Sequence, residues 1–122
     1  VNRQEGSGTR VWLDSKLAEI GLDGKNIHGY KNVVWTHSEA AQRVAENEAD
    51  VALGLEAAAQ AFDLNFEFAT LEQYDLVYPN EPEPRQGIQV FMNYLQSPSA
   101  KKTIQKMAGY DTSQTGKTRQ IL

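Results

Sequence analysis

Arg3-Gln4-Glu5-Gly6-Ser7-Gly8-Thr9-Arg10 is the stretch on which the reading of this chain turns. It joins a short extended start, Val1-Asn2-Arg3, to a helical pattern that continues through Leu13, Leu17 and Ile20. A strand, a small-residue turn and a helix start together make an anion site. The first N–H groups of a helix have no intrahelical acceptor, and they carry the positive end of the helix dipole. Gly6 and Gly8 allow close backbone approach, Ser7 and Thr9 add hydroxyls, and Arg3 and Arg10 bracket the turn with guanidinium groups suited to oxyanions. A plainer reading stands beside this one. Ser7 or Thr9 also fits a simple N-cap, and Gly-Ser-Gly a simple loop. The stretch is not a Walker A loop, since no Gly-Lys-Ser/Thr follows. It is not a dinucleotide fingerprint either, since the third glycine is missing and no acidic residue closes a strand about twenty residues on.

Working outward, strand and helix patterns alternate. Residues 8–20 predict a helix closed by Gly21, and residues 22–26 a turn. Residues 31–35 form a β-branched and aromatic run expected to be a strand. Thr36, with Glu39 three residues later, is a capping-box pattern that opens a second helix, whose apolar stripe is Ala40, Ala41, Val44 and Ala45. Strands are expected over 50–54, 65–69 and 74–78, with a short alanine-rich helix over 55–62. This order predicts a mostly parallel sheet covered by helices, with the strand-to-helix turns at one sheet edge, where ligands of such sheets bind. Both marked helix starts, at Ser7/Thr9 and Thr36/His37, fall at that edge. Asn80-Glu81-Pro82-Glu83-Pro84 is an acidic, proline-rich bend and an expected boundary. Two further helices follow, the first marked by Ile88, Phe91, Met92 and Leu95, the second running from Pro98 to Gly109. The stretch from Asp111 to Leu122 is polar and aperiodic.

Composition narrows the function. The chain has 122 residues, 40% of them hydrophobic, and a net charge of −4, which suits one small domain or a piece of a larger one. An acidic chain with scattered basic residues lacks the basic patch of a nucleic-acid binder, so no direct nucleic-acid contact is expected. No apolar run reaches membrane-spanning length, so no membrane insertion is expected. With no cysteine there is no disulfide framework and no thiolate chemistry. The two histidines, His28 and His37, lack metal-ligand spacing. Ser7 has no histidine near it in sequence, and Ser-Gly-Thr is not a nucleophile elbow. Neither catalysis nor a cofactor is expected of this segment.

With that order in hand, the chain resembles one lobe of a type II periplasmic-binding-protein fold. More narrowly it is similar to the molybdate-binding-like "PBP-like" domains fused to helix-turn-helix regulators or to molybdopterin biosynthesis modules. The residues that carry the resemblance are 2–10, Thr36-His37, Ala49-Asp50-Val51-Ala52-Leu53-Gly54 and Tyr74-Asp75-Leu76-Val77, with Leu95-Gln96-Ser97-Pro98 and Gly109-Tyr110-Asp111 in the closing helices. The resemblance implies an α/β fold: a three-layer lobe, mostly parallel sheet with helices on both faces, plus a C-terminal helical pair. Residues 1–78 would be lobe two of a clamshell. Residues 79–122 would be C-terminal helices of lobe one, whose N-terminal half lies outside this sequence, as in a truncated chain or proteolytic fragment. Such a piece is expected to bind its ligand weakly and to self-associate through the C-terminal helices.

By the same resemblance the ligand is a tetrahedral oxyanion, molybdate or tungstate, with sulfate and phosphate of the same shape. Ser7, Gly8 and Thr9 would hold its oxygens, with Arg3 close by; the alternative for Arg3 is a salt bridge to Glu5 or Asp14. Arg10 either points to the ligand or lies on the helix face. Thr36 and His37 would supply the second helix start, against simple capping by Thr36 and a surface role for His37. Tyr74 would offer its hydroxyl, against ordinary packing. The implied roles are a cytoplasmic sensor domain attached to a regulatory or biosynthetic module or, with a signal peptide upstream, the periplasmic component of an oxyanion transporter. An interaction module that binds no anion is the third.

Overall fold

The computed structural model describes residues 1–81 and 85–119. Residues 82–84 of the predicted bend and the last three residues of the polar stretch lie outside the described residues. In chain order the elements are β1 (Asn2–Arg3), α1 (Gly8–Glu19), a 3-10 turn (Gly24–Asn26), β2 (Val33–Val34), α2 (His37–Ala45), α3 (Glu56–Ala61), α4 (Gln86–Gln96) and α5 (Pro98–Ile104). They fall into two units, Val1–Glu67 and Phe68–Leu122.

In the first unit, β1 and β2 pair in parallel, with Asn2 opposite Val33 and Arg3 opposite Val34. The pairing is continued by Asn2 N–H to the Asn32 carbonyl at 2.8 Å and Gln4 N–H to the Val34 carbonyl at 3.2 Å. Each strand leads at its carboxyl end into a helix, so α1 and α2 start from the same edge. Their ends follow from local chemistry. Ser7 caps α1 and Thr36 caps α2 through their side-chain oxygens. At the other end of α1, Leu22 N–H bonds the Leu17 carbonyl at 2.9 Å and Gly21 N–H the Ala18 carbonyl at 3.1 Å. This is a Schellman stop, and it needs the φ of +71° at Gly21. Asn47 and Asp63 adopt the same left-handed conformation just past α2 and α3, at φ 59° and 54°. The buried apolar set of this unit is small: Leu17, Val34, Ala40, Ala41 and Ala58.

The predicted strand over 31–35 is present but reduced to Val33–Val34. Those expected over 50–54, 65–69 and 74–78 are not strands. Among the described residues the sheet has two strands, so a three-layer lobe with helices on both faces is not what the structure displays. The reason is partner supply. A strand is defined by pairing, and these segments have the right side chains without a paired neighbour. One bond, from the Val1 amino group to the Val51 carbonyl at 3.2 Å, links the 50–54 segment to the start of β1. Residues 65–77 are exposed throughout.

In the second unit, α4 and α5 form a helical pair joined at Ser97. Ser97 ends α4 and caps α5, accepting from Ala100 N–H at 3.1 Å, and Pro98 fills the first turn of α5. The polar stretch beyond folds back on this pair: Gln105 Nε2 donates to Thr112 Oγ1 at 2.9 Å and Gln96 Nε2 to the Gly116 carbonyl at 3.1 Å. Gly116 has φ +80°, and a side chain there would meet Gln96 Cγ at 2.7 Å. Among the described residues Ala100 is the buried apolar residue of this unit, and α4 buries none of its residues. Among the described residues no helix is long and apolar enough to cross a membrane.

Candidate functional site

The turn between β1 and α1 is closed by Ser7 N–H to the Gln4 carbonyl at 3.3 Å, with Gly6 at φ +83°. Nothing lies within 4 Å of a Cβ built on Gly6, so the turn needs glycine for its backbone angle rather than for space. Ser7 Oγ donates to the Gln4 carbonyl at 3.0 Å and accepts from Arg10 N–H at 3.2 Å. Its hydroxyl hydrogen is therefore engaged by the fold. The Gly8 and Thr9 N–H groups, next along the first turn, have no acceptor among the described residues.

At the second helix start, Thr36 Oγ1 accepts from Glu39 N–H at 3.0 Å. The Glu39 carboxylate reaches back as a capping box should, but one residue further, to Trp35 N–H at 2.9 Å. Ser38 N–H has no acceptor among the described residues. His37 is half-buried, and a Cβ on Gly54 would stand 3.7 Å from its Nδ1. The segment once expected as a strand thus passes directly beside this histidine.

Arg3 connects the two starts. It is 8% exposed. Its Nε donates to Gln4 Oε1 at 3.1 Å, and its Nη2 donates to the Trp35 carbonyl at 2.9 Å, at the joint of β2 and α2. Its Nη1 is buried and has no hydrogen-bond partner among the described residues. A buried donor on a charged group that goes unpaired costs on the order of 1–3 kcal/mol or more. Neither Glu5 nor Asp14, the two carboxylates expected as alternatives, pairs with Arg3.

Arg10 has a different environment. Its Nε donates to both Asp14 oxygens, at 3.0 and 2.9 Å, and its Nη1 to the Arg3 carbonyl at 3.3 Å. Its guanidinium carbon lies 4.3 Å from the Tyr30 ring centroid, a cation–π distance. Tyr30 Oη donates to Asp14 Oδ1 at 2.5 Å. The hydrogen bond from Tyr30 is the main force holding the Asp14 carboxyl below its usual range; burial opposes it and Arg10 adds to it. The same bond, together with burial, pushes the Tyr30 hydroxyl up against the opposing effect of Arg10. Burial pulls Arg10 down, yet its hydrogen bonds and charge pairing with Asp14 and Tyr30 outweigh it and leave the group raised. Gly24 packs against the far end of the Tyr30 ring, where an added Cβ would fall 2.4 Å from Cζ. Arg10, Asp14, Tyr30 and Gly24 thus form a locked cluster behind the turn. Sequence reasoning placed Arg10 among the ligand contacts and missed Gly24 and Tyr30. The spacing of Arg10 and Asp14, one helical turn apart, was the visible signal; the approach of Tyr30 from 20 residues away had none.

Of the eight sequence-predicted site residues, Arg3, Ser7, Gly8, Thr9, Arg10, Thr36 and His37 lie at the two helix starts of the first unit. Tyr74 lies in the second unit and is 64% exposed. Among the described residues no three His, Cys, Asp or Glu side chains gather as a metal site would require.

Comparison with known proteins supplies the family. Residues 1–96 match the model of the PBP superfamily domain. The chain is similar to the uncharacterized protein YvgK of Bacillus subtilis (strain 168), 34% identical over 117 residues, which cover 96% of this chain and 37% of that protein. It is similar also to an uncharacterized protein encoded in the 5' region of a ferredoxin 2Fe-2S gene of Clostridium pasteurianum, 32% identical over 108 residues, or 88% of this chain and 96% of that one. The chain therefore spans about a third of the first relative's length and nearly all of the second's. No solved structure matches it. By the extent of the family match and by these relatives, the chain belongs to the PBP superfamily domain family, whose name denotes a binding-protein module.

Proposed function

We propose that this domain binds a small tetrahedral oxyanion between the starts of α1 and α2. The observation that carries the reading is Arg3. A guanidinium anchored at the joint of β2 and α2 keeps one buried nitrogen without a partner among the described residues, at the edge where two helices present N–H groups. Gly8, Thr9 and Ser38 N–H, the Thr9 hydroxyl and Arg3 Nη1 are the donors the ligand would take. Ser7, Thr36 and Glu39 hold the helix starts in shape. Arg10 holds the turn from behind, through the Arg3 carbonyl and Asp14, so its role is positioning. Molybdate and tungstate are the preferred ligands by family resemblance, with sulfate and phosphate as the controls of equal shape. The proposed activity is binding without catalysis, and the bound state would be read by another module or a transport partner.

Magnitudes limit the affinity. A charge-assisted hydrogen bond contributes about 1.5–3 kcal/mol, and micromolar binding needs about 8 kcal/mol. Three or four such bonds, less the cost of association and of stripping water from the anion, place the affinity of this chain alone in the millimolar range. The test is calorimetric titration of the chain with molybdate, tungstate, sulfate and phosphate, repeated with Arg3→Gln and Ser7→Ala. Arg3→Gln is expected to abolish binding. Ser7→Ala lowers stability and leaves affinity within a few-fold, because that hydroxyl serves the fold. Absence of heat and of thermal stabilisation with all four anions, or equal binding by Arg3→Gln, sinks the reading.

A further inference from the structure

The far edge of β1 is contested. In a parallel pair, successive residues turn their N–H and C=O groups to opposite sides. Asn2 turns its pair toward β2, since it stands opposite Val33 and its N–H bonds the Asn32 carbonyl. Val1 and Arg3 therefore turn theirs the other way, and residues 51–55 run along that side. At one end of the run the Val1 nitrogen donates to the Val51 carbonyl at 3.2 Å. At the other end a Cβ on Gly54 would stand 3.7 Å from Nδ1 of His37, at the start of α2.

The Val1–Val51 bond fixes a register. A parallel ladder continued from it would join Leu53 N–H to the Val1 carbonyl, Arg3 N–H to the Leu53 carbonyl and Leu55 N–H to the Arg3 carbonyl. Among the described residues none of these is made. The first finds both of its groups open, and the other two are intercepted. Arg3 N–H donates instead to Asn2 Oδ1 at 2.9 Å, and the Arg3 carbonyl accepts from Arg10 Nη1 at 3.3 Å. An N–H has one hydrogen to give, so the bond to Asn2 and a bond to Leu53 exclude each other. A carbonyl accepts twice, so Arg10 acts by standing in the way, held there by Asp14 and Tyr30. Asn2 is itself held in place: it is 6% exposed, and its Nδ2 donates to the Tyr30 carbonyl at 3.3 Å. The two arrangements are close in what they offer. Closing the ladder gains backbone bonds and gives up the side-chain bond to Asn2, but Ala52 and Gly54 are poor strand formers and ordering the run costs entropy.

We propose that residues 51–55 are a strap with two positions, held off β1 by the Asn2 carboxamide and closing as a third parallel strand when Arg3 N–H is released. Closure bonds Leu55 to the Arg3 carbonyl and so draws the start of α3 to the edge from which α1 and α2 begin. The strap needs no anion at that edge. The test is hydrogen exchange of the full chain read at single amides, with Asn2→Leu to remove the plug and Asn2→Asp to keep an acceptor in its place. Both variants lose the bond to the Tyr30 carbonyl, so the acceptor alone separates them. In the parent chain the Leu53 and Leu55 amides are expected to exchange much faster than Gln4, which bonds β2. In Asn2→Leu they are expected to slow by about tenfold or more, at roughly fivefold for each net hydrogen bond gained, and in Asn2→Asp to exchange as in the parent. Damage to the fold speeds exchange, so slowing at these two amides is not a sign of damage. Leu53 and Leu55 amides that fail to slow in Asn2→Leu while Gln4 stays protected, that slow equally in both variants, or that match Gln4 in the parent overturn the proposal. If Asn2→Leu loses protection at Gln4 as well, relaxation dispersion of the parent decides: one shared exchange rate at the Arg3, Leu53 and Leu55 amides supports the strap, and flat profiles overturn it.

Discussion

The two units solve the same problem in opposite ways. The first, Val1–Glu67, has a small apolar core of one leucine, one valine and three alanines, and reinforces it with polar chemistry. Arg3 and Arg10 are buried, and Arg10 is paired, stacked and hydrogen-bonded through Asp14 and Tyr30. The second, Phe68–Leu122, has a similar share of large apolar side chains and leaves most of the described ones exposed. Hydrophobic content therefore does not by itself make a core. Burial needs a facing surface, and the first unit obtains one from a parallel strand pair with its helices, whereas α4 of the second buries none of its residues.

The largest expected effect that separates the two is backbone protection. Amides of Asn2 and Gln4 bond across the strand pair, while residues 65–77 form no described backbone–backbone bond and are exposed. Hydrogen exchange is expected to be orders of magnitude slower at the first pair. Comparable rates would erase the distinction. Next in size, Asp14→Ala removes both partners' anchor and leaves the buried Arg10 guanidinium short of acceptors. The cost is about 2–3 kcal/mol, below the 3–5 of a fully buried pair because Asp14 is partly exposed. Val90→Ala in the second unit is expected within about 0.5 kcal/mol in the monomer. Denaturant unfolding measures both, and equal losses would break the contrast.

Gly24→Ala sharpens it further. The new Cβ would fall within 2.8 Å of three Tyr30 ring carbons, so the ring must move off Arg10, at about 1–3 kcal/mol. A thermal shift no larger than that of Gly87→Ala would refute this, since nothing lies within 4 Å of a Cβ on Gly87. The smallest effect is on pH dependence, and its sign follows from the protonation states. The Asp14 carboxyl is lowered, so its contribution is present above the ordinary carboxylate pKa of about 4 and is lost as pH falls through the folded value. The Tyr30 hydroxyl is raised, so its contribution is present below the ordinary pKa of about 10 and is lost as pH rises through the folded value. Stability against pH is expected to show both shoulders in the parent chain and neither in the Asp14→Ala, Tyr30→Phe double variant.

Legibility followed the range of the interaction. The helices predicted over 8–20, after Thr36 and over 55–62 appear within a few residues of their predicted bounds, and the one from Pro98 starts as predicted but ends at Ile104, five residues short of Gly109. Each is set by neighbours in sequence: Ser7, Thr36 and Ser97 as caps, Gly21 as a stop, Pro98 in a first turn. The small-residue turn and the two helix starts, hence the placement of the candidate site, were legible for the same reason. The strands over 50–54, 65–69 and 74–78 were not, because alternation marks a segment able to pair and says nothing of whether a partner is present. The side-chain assignments split likewise. Ser7 and Thr36 were recognisable as caps, but the choice between ligand and scaffold for Arg3 and Arg10 was not.

The sequence by itself thus determined where helices begin and end, which edge gathers their N-termini, and the family to which the chain is related. Caps, stops and periodicity act over three or four residues and are written locally. Only the tertiary structure decided that Arg10 is locked by Asp14 and Tyr30, that Arg3 Nη1 is buried with no hydrogen-bond partner among the described residues, and that α4 leaves Val90, Phe91 and Tyr94 exposed. Those outcomes depend on groups distant in sequence meeting in space. Whether a buried charge is satisfied, or an apolar face covered, is settled by what arrives there.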